Sequence, residues 1–440
     1  MKNLAKGSRK LLNAWAFYDW ANSVYPLVIS SAIFPIFYEA LFSRGNHYIN
    51  FLGINFKNSA LISFVTAAAF LVVAFISPLL SGIAVYVGNK KSFMRFFCYM
   101  GALSCMALYF FNLENISIGL VFYFFGLIGF WGSLVFYNSY LPDIAFTEQQ
   151  DSISAKGYSL GYIGSVVLLI INLAMVMKPD IFGITGTEGE ATMKAMRYSF
   201  IMVGIWWIGF SQYTYYYLPK GNTKQSKATG AVLLNGFKEL KKVGGLLKQN
   251  VALKRYLGSF FVYSMAVQTV ILIATYFGSQ EIQWKDKSES TIGLIICILL
   301  IQLVAVVGAF LTSKASAKFG NITTLIVINL IWFLLCIGAY FITLPLHFYI
   351  MAASVGLVLG GIQSLSRSTY SKLLPETEDT ASFFSFYDVA EKIGIVIGMS
   401  VYGIIDQITG PRFAIIFLAL FFFIGILLLL RVPNRIKSSL

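Results

Sequence analysis

Twelve predominantly apolar stretches of about 20 residues or more recur along the chain, at 16–42, 59–86, 93–112, 116–141, 158–177, 198–218, 255–278, 291–313, 322–343, 347–373, 382–406 and 413–431. A helix of 20 residues rises about 30 Å, the thickness of a bilayer's hydrocarbon core. In lipid every backbone N–H and C=O must be bonded inside the protein, and a helix does this within one segment. The chain is therefore predicted to be an all-α membrane protein of twelve transmembrane helices. Composition leads the same way. Of 440 residues 58% are hydrophobic and only 12% charged, whereas a soluble domain of this size carries about 25% charged residues. That excludes an ordinary soluble enzyme, a disordered chain and a disulfide scaffold.

Lys2, Lys6, Arg9 and Lys10 precede the first stretch as they would in a signal peptide. The stretch nevertheless contains Asp19, is too long, and shows no small-x-small cleavage site, so it reads as an uncleaved first span. The net charge of +14 is a topology signal. With the N-terminus cytoplasmic, 23 Lys and Arg fall on the inner side and 8 on the outer, while Arg367 and Lys392 lie within spans. Basic residues collect in cytoplasmic loops, so both termini are placed there and a nucleic-acid partner is not expected. Short tails and loops favour a bacterial inner membrane.

The longest connection, 219–254, is strongly basic and lies midway along the chain. Around it the sequence repeats itself. Leu141-Pro142-Asp143 after span 4 returns as Leu374-Pro375-Glu376 after span 10, Gly88 as Gly320, and Tyr18-Asp19-Trp20-Ala21 as Tyr263-Ser264-Met265-Ala266. This predicts two pseudo-symmetric six-helix halves, 1–218 and 255–440, joined by a linker over 219–254. Parallel halves with a site between them are a recurrent transporter design. Within the linker, Phe237-Lys238-Glu239-Leu240-Lys241-Lys242 has the composition of an amphipathic helix lying on anionic lipid.

Charges inside spans are costly and mark pathways or pairs. Here they are Asp19, Glu39, Asp143, Arg367, Asp388, Glu391 and Lys392. Asp388 and Glu391 share a helix face at i, i+3, and Lys392 is placed to pair with Asp388 at i, i+4. Arg367 on the preceding span is expected to bridge across to them. One reading is a static ion-pair cluster. The other is an inner gate whose pairs break and re-form, with proton coupling through Asp19 or Glu391 as an extension. Asp19, Asp143, Arg367, Asp388, Glu391 and Lys392 are thus the gating and coupling candidates. The polar and aromatic side chains Asn22, Tyr25, Tyr137, Asn138, Tyr263, Gln268, Gln363 and Ser364 are the candidates for a solute site, against a plainer role in helix–helix hydrogen bonding. Glycines in Gly157-x-x-x-Gly161-x-x-Gly164 and Gly394-x-x-x-Gly398 predict close helix contacts.

Cys98, Cys105, Cys297 and Cys336 lie in apolar runs without metal-ligand spacing, and His47 and His347 lie in loops. No metal, cofactor or catalytic residue is expected, and the absence of a Gly-x-x-x-x-Gly-Lys-Ser/Thr loop argues against an ATPase.

The twelve spans, two halves and basic middle loop resemble the major facilitator superfamily. Ser81-Gly82-Ile83-Ala84-Val85-Tyr86-Val87-Gly88-Asn89-Lys90-Lys91 is similar to its signature loop after span 2, with Val85 where that loop has Asp; Ala317 takes the equivalent place in the second half. The resemblance implies that an inner latch is weakened here. Tyr18-Asp19-Trp20-Ala21-Asn22-Ser23, Phe136-Tyr137-Asn138 and Gly360-Gly361-Ile362-Gln363-Ser364-Leu365-Ser366-Arg367-Ser368 resemble the vacuole-effluxer-like branch. That branch includes fungal autophagy-related amino-acid effluxers. The resemblance implies a secondary transporter, acting as a monomer on a small molecule such as a neutral amino acid, with protons or other ions as coupling partners and lipids around it. A transporter of a lipid-like or amphipathic solute, or a non-transporting receptor or scaffold, is the alternative.

Overall fold

The structure, a computed structural model, describes residues 4–42, 48–51, 53–220, 230–377 and 379–433. Lys2, Arg44, His47, Lys224, Lys227, Arg435 and Lys437 lie outside them, as do the side chains of Val85, Phe237, Glu239 and Leu240. The first span begins as α1 (Arg9–Asn22), widens to a π-helix over Tyr25–Ile33 and resumes as α2 (Phe34–Leu41). Pro26 has no N–H to give to the preceding turn. Its carbonyl accepts from Ser31 Oγ at 2.9 Å, five residues on.

A small antiparallel hairpin, β1 (Tyr48–Phe51) with β2 (Ile54–Lys57), follows and pairs Tyr48 with Lys57. It is an addition to the helical expectation. The remaining spans of the first half are α3 (Asn58–Val87), α4 (Lys90–Ala107), α5 (Ile116–Ser139) continued by the short α6 (Leu141–Ile144), α7 (Thr147–Met177) and α8 (Glu188–Tyr217). Next comes α9 (Gly230–Gln249) in the basic connection, then α10 (Val251–Glu281), α11 (Lys287–Phe319), α12 (Asn321–Ala339), α13 (Pro345–Leu373), α14 (Thr380–Thr409) and α15 (Pro411–Leu429).

Among the described residues, ten spans are long and apolar enough to cross a membrane. The other two, α8 and α14, are 30 residues each and fall outside that set. Polar and aromatic residues dilute α8, and α14 carries Asp388, Glu391 and Lys392. A helix packed inside a bundle can hold such groups because neighbouring helices, not lipid, surround them.

The buried apolar side chains form two large clusters, one running from Leu11 to Leu218 and one from Val243 to Val432. The end at which α1 begins and α15 finishes, the terminal end, gathers the two ends of the described chain and α9. There Lys6 Nζ donates to the Pro142 carbonyl at 2.7 Å, and Tyr140 Oη to that of Pro219 at 3.0 Å. Arg255 donates to the Arg431 carbonyl at 2.8 Å.

α9 packs on α3, α10 and α14, with Val243 and Leu247 buried and Lys238, Lys241 and Lys248 exposed. Asn250 ends it and caps α10, accepting from the Leu253 N–H at 3.1 Å. Small residues let the helices approach closely. A Cβ at Gly164 of α7 would stand 2.9 Å from the Trp20 carbonyl oxygen on α1, and one at Gly356 of α13 2.6 Å from that of Ile301 on α11.

Candidate functional site

Arg367 is a fully buried charge, 1% exposed, and sits six residues before the end of α13. Burying a guanidinium is costly unless it is paired and hydrogen-bonded. Its five N–H groups are all met by residues of the first half. Nη1 and Nη2 each approach Asp19 Oδ2 at 3.2 Å. Nη1 also reaches Asn138 Oδ1 at 3.3 Å, while Nε and Nη2 donate to Ser154 Oγ at 2.9 Å and to its carbonyl at 3.0 Å. Three helices of the first half, α1, α5 and α7, thus grip one side chain of the second.

Aromatic rings close the socket. The guanidinium carbon lies 4.2 Å from the Tyr158 ring centre, 4.8 Å from Trp15 and 5.5 Å from Tyr137, within the range of cation–π attraction. Trp15 and Tyr137 stack at 4.6 Å, and the Tyr137 hydroxyl donates to Asp19 Oδ2 at 2.8 Å. Gly157 faces this pair: a Cβ there would collide with Asp19 Oδ2 and come 3.1 Å from Arg367 Nη2. Arg367 was expected to bridge to the carboxylates of α14. It turns instead to Asp19, because α13 presents Arg367 to the first half.

Two further junctions join the halves at the terminal end, and they mirror each other. In one, Lys90 at the start of α4 pairs with Asp143 of α6 and donates to Thr380 Oγ1 at the start of α14, 2.7 Å away. The Thr380 hydroxyl lies 2.9 Å from the Ser139 carbonyl and 3.2 Å from Asp143 Oδ1. In the other, Asn321 at the start of α12 and Lys372 at the end of α13 hold Asp151 at the start of α7, at 2.9 and 2.6 Å, and Ser316 adds a bond at 3.1 Å. Lys90 of the loop after the second span thus finds its carboxylate in Asp143.

A third group lies deeper. α14 starts at Thr380, so Asp388 is eight residues in, roughly 12 Å at 1.5 Å per residue. Lys392 pairs with Asp388 at 3.1 Å and with Glu391 at 2.6 Å, and its ammonium stands 3.5 Å above the Trp131 ring of α5. Gln268 Nε2 of α10 donates to Glu391 Oε1 at 2.8 Å.

The structure therefore brings together Asp19, Tyr137, Asn138 and Arg367, and separately Gln268, Asp388, Glu391 and Lys392. Gln363 accepts from the Tyr162 hydroxyl at 2.5 Å, and the Ser364 carbonyl from Ser154 Oγ at 2.8 Å, both across the halves. Tyr263 shares a bond of 2.7 Å with Ser366 inside the second half. Asn22 and Tyr25 join neither charge cluster; Asn22 accepts from Ser23 at 3.4 Å and Tyr25 stacks on Phe130 at 5.2 Å. Glu39 is exposed.

Sequence reasoning missed Ser154 and Asp151 because it started the fifth span at 158. The helix begins at Thr147, where Thr-Glu-Gln-Gln-Asp reads as loop. It also missed Trp15, Trp131 and Tyr158, whose roles depend on which cation packs over them.

A cavity of about 150 Å³ lies in the half of the bundle away from the terminal end. Ala274, Cys297, Trp332, Cys336 and Met351 line it from the second half, and Leu27 and Ser31 from the first. The four cysteines are free thiols and buried, and no group of three or more potential metal ligands occurs among the described residues.

The sequence family described as vacuole effluxer Atg22 like matches residues 7–438. The chain belongs to that family. The Atg22-like chain is 31% identical over 444 residues to an uncharacterized MFS-type transporter of Bacillus subtilis (strain 168), YxiO, covering 99% of this chain and 98% of that one. Autophagy-related protein 22-2 of Aspergillus oryzae is 24% identical over 470 residues, covering 88% and 75%. The fucose:proton symporter of E. coli superposes with a TM-score of 0.67 at 16% identity, covering 97% of this chain and 98% of that one, and so shares the major facilitator fold. This Atg22-like protein is a multi-pass membrane transporter of the major facilitator type and not an enzyme.

Proposed function

We propose that the protein is a secondary transporter that moves a small organic solute, neutral amino acids foremost, by alternating access between two halves, 1–218 and 255–440. The observation that carries this reading is Arg367, a single cation of the second half whose N–H groups are all met by the first. A contact of that kind opens only if the halves separate. Together with the Lys90–Asp143–Thr380 and Lys372–Asp151–Asn321 junctions it forms a latch that shuts the terminal end. The inside excess of basic residues makes that end cytoplasmic, in a bacterial inner membrane. The state described is then the one in which the solute site faces outward.

The amino-acid assignment leans on the family, whose description is that of vacuolar effluxers. Gln363, Tyr162 and Gln268 supply polar groups at mid-depth for such a solute, and Glu391 is the coupling carboxylate, held by Gln268 rather than locked by a guanidinium. The apolar cavity beside Trp332 favours a second reading, an amphipathic solute.

Uptake into proteoliposomes across neutral, acidic and basic amino acids, dipeptides and a lysophospholipid separates these. Saturable counterflow of a neutral amino acid that Arg367→Ala abolishes is the expected result. Counterflow of the lysophospholipid alone would overturn the amino-acid reading.

A further inference from the structure

The terminal end carries a cleft of about 310 Å³ that none of the polar clusters above uses. Lys248 at the end of α9 and Lys254 at the start of α10 form its rim. Leu257, Gly258 and Phe261 of α10 and Ala390 of α14 form its floor. Counted along the helix, the floor lies roughly 10–15 Å further into the bundle than the start of α10.

Both lysines are exposed, and neither has an acidic partner among the described residues. α10 and α14 are joined beside the cleft by Phe260 stacked on Tyr387, ring centres 4.0 Å apart, and further along by Gly398 against Met265 and Thr269. Gly258 faces away from that seam, is exposed, and has nothing within 4 Å of where a Cβ would stand. The roof is α9, which packs on α3 of the first half as well as on α10 and α14 of the second.

We propose that this cleft binds one anionic phospholipid, its phosphate between Lys248 and Lys254 and an acyl chain along Leu257, Gly258, Phe261 and Ala390. Charge complementarity selects the headgroup. A cation at the membrane surface attracts anionic lipid, and the apolar floor at acyl depth distinguishes a lipid from a free phosphate. Because α9 also rests on α3, the bound lipid fastens the connection across both halves on the side where the latches close.

Native mass spectrometry of the full chain, incubated with phosphatidylglycerol or with phosphatidylcholine of the same acyl chains, tests this. Retention of phosphatidylglycerol about tenfold above phosphatidylcholine is expected. Lys248→Glu with Lys254→Glu is expected to erase that preference. Lys314→Glu with Lys318→Glu, exposed at the same end but outside the cleft, is expected to keep it. Gly258→Leu, which fills open space, is expected to lower retention of both lipids while the protein stays monodisperse. Equal retention of the two lipids by the natural chain, a preference that survives the Lys248 and Lys254 changes, or retention unaffected by Gly258→Leu overturns the proposal.

Discussion

Arg367 on α13 and Asp19 on α1 meet through two hydrogen bonds of 3.2 Å to one carboxylate oxygen, both residues buried. Removing one partner of such a pair leaves an uncompensated charge and costs about 3–5 kcal/mol. Arg367→Ala and Asp19→Ala are each expected to lower thermal stability by that order and to stop counterflow. The double substitution is expected to cost less than the sum, because it leaves no stranded charge. Arg367→Lys keeps the charge but cannot make five hydrogen bonds or lie flat on Tyr158, so transport is expected to stay impaired. Thermal unfolding and counterflow of the four variants check this.

The two outer junctions differ in shielding, and the difference ranks them. The Lys372 and Asp151 side chains are each 10% exposed, whereas Asp143 opposite Lys90 is 30% exposed. Water screens the second pair more. Asp151→Ala is expected to destabilise the closed terminal end by about 3 kcal/mol, and Lys90→Ala by about 1 kcal/mol or less. The effects are expected to add, since the pairs share no residue. Maleimide labelling of single cysteines introduced at the terminal end reads the shift.

Glycine substitutions distinguish a packed seam from open space. Gly157→Ala drives a methyl group into the Asp19 carboxylate and against Arg367, so transport is expected to fall at least tenfold, because small misplacements in a working site are expensive. Gly258→Ala meets nothing and replaces a poor helix former. It is expected to leave transport intact and to raise stability by about 0.5–1 kcal/mol.

If Glu391 couples transport to protons, Glu391→Gln retains the hydrogen bond from Gln268 while removing the exchangeable charge. Loss of the pH-gradient stimulation of uptake, with counterflow at equal pH preserved, is the expected outcome. Unchanged stimulation would move coupling to another group.

The fold was legible because twelve apolar runs and the asymmetry of Lys and Arg are one-dimensional signals. Part of the site was legible too. Asp388, Glu391 and Lys392 are close in sequence, and helical spacing alone brings them together. What the sequence hid was pairing between distant helices. Nothing near Arg367 says that its partner lies 348 residues away at Asp19, because that depends on which face of α13 turns to the first half. The polar start of α7 hid Asp151 and Ser154 for a different reason. A span whose first turns serve a polar junction loses its apolar signature there, as α14 does at Asp388.

The most direct measurement of rocking halves is the distance between spin labels at the terminal end by pulsed electron resonance. Ser152→Cys on α7 and Lys318→Cys on α11 are exposed sites beside the Asp151–Ser316 contact of 3.1 Å. The four buried native cysteines are replaced first. One short distance in the resting protein, a second longer distance that grows with transported amino acid, and dominance of the long distance in Arg367→Ala are expected. A single distance, unchanged by solute and by Arg367→Ala, would contradict alternating access gated by this pair.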